Sequence, residues 1–250
     1  MILVTGSTGT LGRELSKEFP DSLRPTHQEL DITDQVAINK YIETYQPSII
    51  IHAAALTDVK KCEVEKALAW KINADGTGNL VDALLSYAPK SYLVYISTAS
   101  VFKCDEGNYS EEDKPSSDQV NFYNWTKFIG EHFVRKIPMH LIVRTNFVNR
   151  EKWKYPRAFI DRFANYLFAD QVAFMVRRVI EKRMTGVVHI VGDKQLSMFE
   201  VAKMTCPDVK PLTLEEYYKT ESLRLPKNMT LRSTRVSPWN IHEPIPKTIQ

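Results

Sequence analysis

The chain is poor in glycine, with 9 in 250 residues, against roughly 7 per cent in ordinary usage. Cysteine is scarcer, at 3: Cys62, Cys104 and Cys206 are an odd number at wide spacing. That fits neither a disulfide framework nor a zinc site and suits a reducing compartment. No apolar run approaches the length of a membrane span, and no block of five or six like charges marks a nucleic-acid or membrane surface. Met1-Ile2-Leu3-Val4 carries no basic leader before its apolar stretch, so the expected location is cytoplasmic. No ligand cluster marks a metal site.

What remains is ordinary globular material, 43% hydrophobic and 25% charged, with 33 basic against 30 acidic residues. The length suits one full domain with a smaller lobe. We place a dinucleotide-binding domain at 1–146 and a small substrate-binding lobe at 147–250, partly interleaved with it.

The first 145 residues alternate short apolar runs with segments of helical period, the pattern of a doubly wound α/β fold with a parallel sheet. Strands are predicted at Ile2 to Thr5, weakly at Ser22 to Thr26, then at Ser48 to His52, Tyr92 to Ser97 and His140 to Arg144. Helices are predicted near Leu11 to Phe19, Asp34 to Tyr45, Glu63 to Ala88 and Val120 to Lys136. Thr33 serves as a helix start, and Pro47 and Pro89 end helices. Lys103 to Asp118 reads as a long loop of the kind that often carries function. Farther on come a helix at Ala169 to Lys182, a strand at Val187 to Val191, a helix after Ser197 and a short one around Leu214 to Thr220.

Scarce glycine is concentrated in one place. Gly6, Gly9 and Gly12 fall within seven positions, between the first strand and the first helix. In such a turn the first glycine permits the tight bend, the second lets backbone N–H groups approach a pyrophosphate, and the third lets helix pack on strand. The helix N-terminus adds partial positive charge. A turn that binds nothing is the alternative. At the end of the second strand, where a carboxylate would hold a ribose 2'-hydroxyl, the chain reads Ser22-Leu23-Arg24-Pro25-Thr26-His27. Arg24 or His27 could instead pair with a 2'-phosphate, which favours NADPH, with NADH as the other possibility.

Tyr123 and Lys127 lie four apart in a helical segment, hence one turn apart on one face. An ammonium near a phenol lowers the tyrosine pKa toward a value useful for proton transfer. The pair follows the strand that ends at Ser97 and Thr98, and ligands of open α/β sheets bind beyond the carboxyl ends of the strands.

Together the glycine loop, Ala53-Ala54-Ala55, Thr98, Tyr123 and Lys127 resemble the extended short-chain dehydrogenase/reductase family, a Rossmann fold. Leu30-Asp31-Ile32-Thr33-Asp34, His52-Ala53-Ala54-Ala55-Leu56-Thr57 and Ile96-Ser97-Thr98 resemble its dTDP-4-dehydrorhamnose reductase group. The resemblance implies hydride transfer from a reduced nicotinamide to the C4 ketone of a nucleotide-linked sugar. It makes Thr98, Tyr123 and Lys127 the catalytic set. Thr10 and Leu11 would meet the pyrophosphate, Asp31 and Ile32 the adenine side, and Ala54, Ala55 and Leu56 the ribose and nicotinamide half. Asp31 has a plain competitor as a strand-end or helix-entry residue. Thr98, Ala99, Tyr123 and Phe147 would face the substrate.

Departures from the family pattern lie on the substrate side. Ala99 stands where an acidic residue is usual, Phe147 replaces a tryptophan, Lys60 an acidic residue and Leu225 an arginine. The stretch from Val148 to Asp161 is shorter by about one helix. A non-catalytic regulatory subunit of the methionine adenosyltransferase type, which resembles the same group, or a reductase of another nucleotide-linked keto-sugar is the alternative function; a sensor that only binds NADPH is a third. Relatives often dimerise, and Glu63 to Ala88 with Val120 to Lys136 would form the interface of a possible homodimer.

Overall fold

The computed structural model describes residues 1–246. Its elements run β1 (Ile2–Thr5), α1 (Thr10–Glu18), α2 (Gln35–Tyr45), β2 (Ile49–His52), α3 (Val59–Val64), α4 (Lys66–Trp70), α5 (Gly76–Tyr87), β3 (Tyr92–Thr98), α6 (Phe122–Val134) and β4 (His140–Thr145). The second half adds β5 (Phe147–Val148), β6 (Arg157–Phe159), β7 (Phe163–Ala164), β8 (Leu167–Phe168), α7 (Ala169–Glu181), β9 (Gly186–Ile190), β10 (Leu196–Ser197), α8 (Met198–Lys203), β11 (Lys210–Leu212) and α9 (Leu214–Tyr218).

β1, β2, β3, β4 and β9 form one parallel sheet in that spatial order. Their apolar runs are buried on both faces, as parallel strands require. Val4, Ile51, Val94, Val143 and Val188 pack with α1 and α7, and Leu3, Ile50, Leu93 and Ile142 pack with α2 and α5. The weak strand expected at Ser22 to Thr26 contracts to a single parallel bridge, Leu23 to Leu3, on the outer side of β1. The chain then crosses back to β2 on the other side of β1. Between β1 and β2 therefore lies the topological switch point where α/β sheets open a ligand crevice.

Local chemistry explains most element ends. Asp34, one residue later than the expected Thr33, caps α2 by accepting from the Val36 and Ala37 N–H groups at 2.9 and 3.0 Å. Asn121 caps α6, and Ser197 with Glu200 forms a capping box on α8. The helix expected over Glu63 to Ala88 is instead three pieces: α3 starts earlier, a break at Glu65 separates α4, and a π-type turn at Lys71–Asp75 precedes α5. Such turns relax the helix where a side chain must reach a neighbouring segment, and the side chain here is Asn73.

Among the described residues the second half of the chain also holds three two-stranded pairs, β5 with β8, β7 with β10 and β6 with β11. β9 and α7, from the same half of the sequence, complete the central sheet and cover α1. The loop Lys103 to Asp118 works as a pin: Glu111 accepts from the backbone N–H groups of His189 and Thr234 at 3.0 and 2.9 Å.

Candidate active site

The loops leaving β1 and β2 interlock at the switch point. Gly6 has φ of +70°, and a Cβ there would fall 2.6 Å from the Ala54 Cα. One at Gly12 would fall 2.0 Å from the Gly6 carbonyl oxygen, so both glycines are demanded by the chain's own backbone. Gly9 differs: a Cβ there would meet only the Gly6 oxygen, at 3.3 Å. The missing side chain at Gly9 leaves open an approach to the start of α1, which has no side-chain cap. Uncapped N–H groups at a helix start, with an open path to them, fit a pyrophosphate.

The glycine loop separates two cavities. One, of about 330 Å³, is lined by Gly6, Gly9, His27, Asp31, Ile32, Ala54, Ala55 and Leu56, together with Thr8, Pro25 and Thr33. The other, of about 320 Å³, is lined by Gly6, Gly9, Thr10, Leu11, Gly12, Ala55, Thr98, Tyr123, Lys127 and Phe147. Residues from Gly6 to Phe147 thus converge on two neighbouring cavities at the carboxyl edge of the sheet.

Two expected residues fall outside them. Arg24 turns away, donating from its guanidinium to the Pro20 carbonyl at 2.9 Å, which closes the turn after α1. Ala99 is fully buried in the core, because the chain after Thr98 coils into a 3₁₀ turn that faces it inward. Conversely, a carboxylate does reach the first cavity: Asp31 stands 3.8 Å from the His27 ring and also accepts from the Thr33 N–H at 2.8 Å. His27 is thereby the one cationic candidate of the original pair left at that wall.

The second cavity also takes Thr57, Ser97, Thr145 and Asn146. Thr145 and Asn146 sit at the carboxyl end of β4, and the rule that ligands bind beyond strand ends would have found them. Asn73 has no sequence signal of that kind. Buried in the π-type turn, its side chain accepts from the Leu56 N–H at 2.7 Å and donates to the Leu56 carbonyl and Thr126 hydroxyl at 3.0 Å each. It ties the cavity wall to α6.

Electrostatics correct the expected tyrosine–lysine coupling. Burial, with the Cys62 thiol beside it, pushes the Tyr123 phenol well above its ordinary range. Lys127 does not pull it down, because burial brings the ammonium itself down to about 7 against a smaller upward pull from Glu131. Its Nζ stands 4.1 Å from the centroid of the Tyr95 ring. His52, between the Thr5 and Thr77 hydroxyls at 2.7 and 3.1 Å, is pushed down to about 3, chiefly by burial.

A parallel sheet with this switch point, a glycine loop opening on α1, and a threonine, tyrosine and lysine on one cavity define an extended short-chain dehydrogenase/reductase. A family model described as RmlD substrate binding domain matches residues 1–167. The chain belongs to that family, whose solved relatives include dTDP-4-dehydrorhamnose reductases. It is 30% identical to the methionine adenosyltransferase 2 subunit beta of Pongo abelii over 236 residues, 80% of this chain and 70% of that protein. It superposes on a dTDP-4-dehydrorhamnose reductase from Clostridium acetobutylicum with a TM-score of 0.82 at 30% identity, covering 92% of this chain and 89% of that one. A Bacillus anthracis dTDP-4-dehydrorhamnose reductase in complex with NADP gives 0.83 at 28% identity, with the same coverages.

Proposed function

We propose that this chain reduces the C4 ketone of dTDP-4-dehydro-L-rhamnose with NADPH, giving dTDP-L-rhamnose. The observation that carries this reading is the meeting of Thr98, Tyr123 and Lys127 with the glycine loop around one cavity.

The pyrophosphate of NADPH would rest on Gly9, Thr10 and Leu11, and its adenosine would enter the cavity walled by His27, Asp31 and Ile32. When bound, NADPH supplies the hydride that adds to the carbonyl carbon. Tyr123 gives its phenolic proton to the carbonyl oxygen as that oxygen gains charge, so the ketone becomes an alcohol. Burial keeps Tyr123 protonated beforehand, the state a proton donor needs. Thr98 donates a hydrogen bond to the same oxygen, and the Lys127 ammonium would hold the ribose of the nicotinamide half. Phe147 offers the sugar an aromatic face.

The test is to incubate purified protein with NADPH and the keto-sugar, following nicotinamide absorbance and identifying the product by mass spectrometry. Keto-sugar-dependent NADPH oxidation is expected; none at any concentration would overturn the reading.

A second reading rests on the similarity to the methionine adenosyltransferase subunit, together with two departures from the reductase pattern. Ala99 is sealed in the core, and Lys60 pairs with Glu221 at 3.0 Å. A stoichiometric complex with a methionine adenosyltransferase, without keto-sugar turnover, would favour a regulatory subunit.

A further inference from the structure

Below the reactive side chains lies a buried group of charges that the chemistry above does not use. Ser97 and Arg144 are register partners on β3 and β4, so their side chains share one face of the sheet. Both reach Glu131 on α6. The Ser97 hydroxyl donates to Oε1 at 2.7 Å, and the Arg144 guanidinium donates from Nε to Oε1 at 2.9 Å and from Nη2 to Oε2 at 2.8 Å. Arg135 approaches Oε2 from the outer side at 3.2 Å. Glu131 and Arg144 are buried, at 0% and 1% side-chain exposure.

Ser97 directly precedes Thr98, and Glu131 lies one helical turn beyond Lys127 and two beyond Tyr123. A buried ion pair is a poor way merely to hold a sheet to a helix, since apolar side chains of similar volume often do so at lower desolvation cost. Its position gives it a more specific use. We propose that Glu131 is a positioning residue of the site: it ties the strand end that carries Thr98 to the helix that carries Tyr123 and Lys127, and places a fixed negative charge one turn from the Lys127 ammonium.

The surroundings of Lys127 agree. Tyr95 on β3 and Tyr123 on α6 are held neutral by burial, and His52 on β2 is held neutral likewise. Arg144 on β4 and Arg135 on α6 act on Glu131. Glu131 is the charge that favours the ammonium among the described residues, and burial opposes it. The proposal rests on reading Thr98, Tyr123 and Lys127 as the reactive set, but its main readout does not need turnover.

That readout is the titration of Lys127 in the cofactor-free protein, followed by NMR of lysine labelled at the ε-carbon and assigned by loss of the signal in Lys127→Arg. Glu131→Gln should lower the Lys127 midpoint by half a unit or more, a change of about threefold or more in its protonation equilibrium. The double variant Glu131→Gln with Arg144→Met should do the same without leaving a buried cation, and it stands in should the single variant fail to fold. An unchanged midpoint in the double variant would overturn the proposal. Ser97→Ala keeps the charge and cuts the tether, so the midpoint should stay while keto-sugar turnover falls about tenfold at unaltered KM for NADPH; wild-type turnover would overturn the tether. If the wild-type protein does not turn over the keto-sugar, the proposed reaction fails, and the Lys127 titration still decides the role of Glu131.

Discussion

The Lys127 ammonium stands 4.1 Å from the centre of the Tyr95 ring, buried on the helix turn between Tyr123 and Glu131. The ring face offsets part of the cost of desolvating the charge, and burial still brings its pKa from 10.5 to about 7. A lysine whose folded pKa is depressed binds fewer protons folded than unfolded, so stability rises as pH climbs from about 7 toward 10.5.

Lys127→Met should therefore stabilise the protein at neutral pH, by about 2 kcal/mol or more, while weakening NADPH binding. Thermal midpoints at pH 7 and at pH 10, beside fluorescence titration with NADPH, check it. The gain should shrink at the higher pH, where the wild-type lysine is neutral when folded.

The glycine loop gives a prediction that separates packing from binding. Gly12→Ala drives a methyl against the Gly6 carbonyl, at 2.0 Å before any shift, and should cost about 3 kcal/mol or more in stability. Gly9→Ala meets only the same oxygen at 3.3 Å and should leave the thermal midpoint nearly unchanged while weakening NADPH binding at least about tenfold. Equal effects of the two on stability would contradict the assignment of Gly9 to the ligand.

Much of this was legible in the sequence because it rests on local chemistry. The Gly6-Gly9-Gly12 spacing announced a strand-to-helix turn, and the i,i+4 spacing of Tyr123 and Lys127 placed them on one helix face. What the sequence hid depends on distant partners. Asn73 sits in a π-type turn and reaches Leu56 and Thr126, and no periodicity records that. Arg24 is drawn off to Pro20 and Ala99 is turned into the core, outcomes set by how loops close. Lys127 does not lower the Tyr123 pKa as their spacing suggests, because spacing says nothing of desolvation, which dominates both groups.

Two buried histidines make the fold less stable in acid. His52 is held down at about 3 and His189 at about 4, both chiefly by burial. Their neutral forms support the folded state above the ordinary value of 6.5, and that support is lost as pH falls toward those values, by up to about 1.4 kcal/mol per pH unit for each histidine. The thermal midpoint should drop between pH 6.5 and pH 4, less steeply in His52→Gln. A flat profile over that range would show that neither ring resists protonation.

Tyr123→Phe bears most directly on the chemistry. It removes a proton donor needed as the carbonyl oxygen gains charge and leaves the pyrophosphate cradle untouched. The deciding measurement is keto-sugar-dependent NADPH oxidation by wild type and Tyr123→Phe, with NADPH affinity measured on both. A reductase of this kind oxidises NADPH as wild type and loses about a hundredfold or more in rate in the variant at an affinity within about threefold. No oxidation by the wild type, or equal rates in the two proteins, would contradict it.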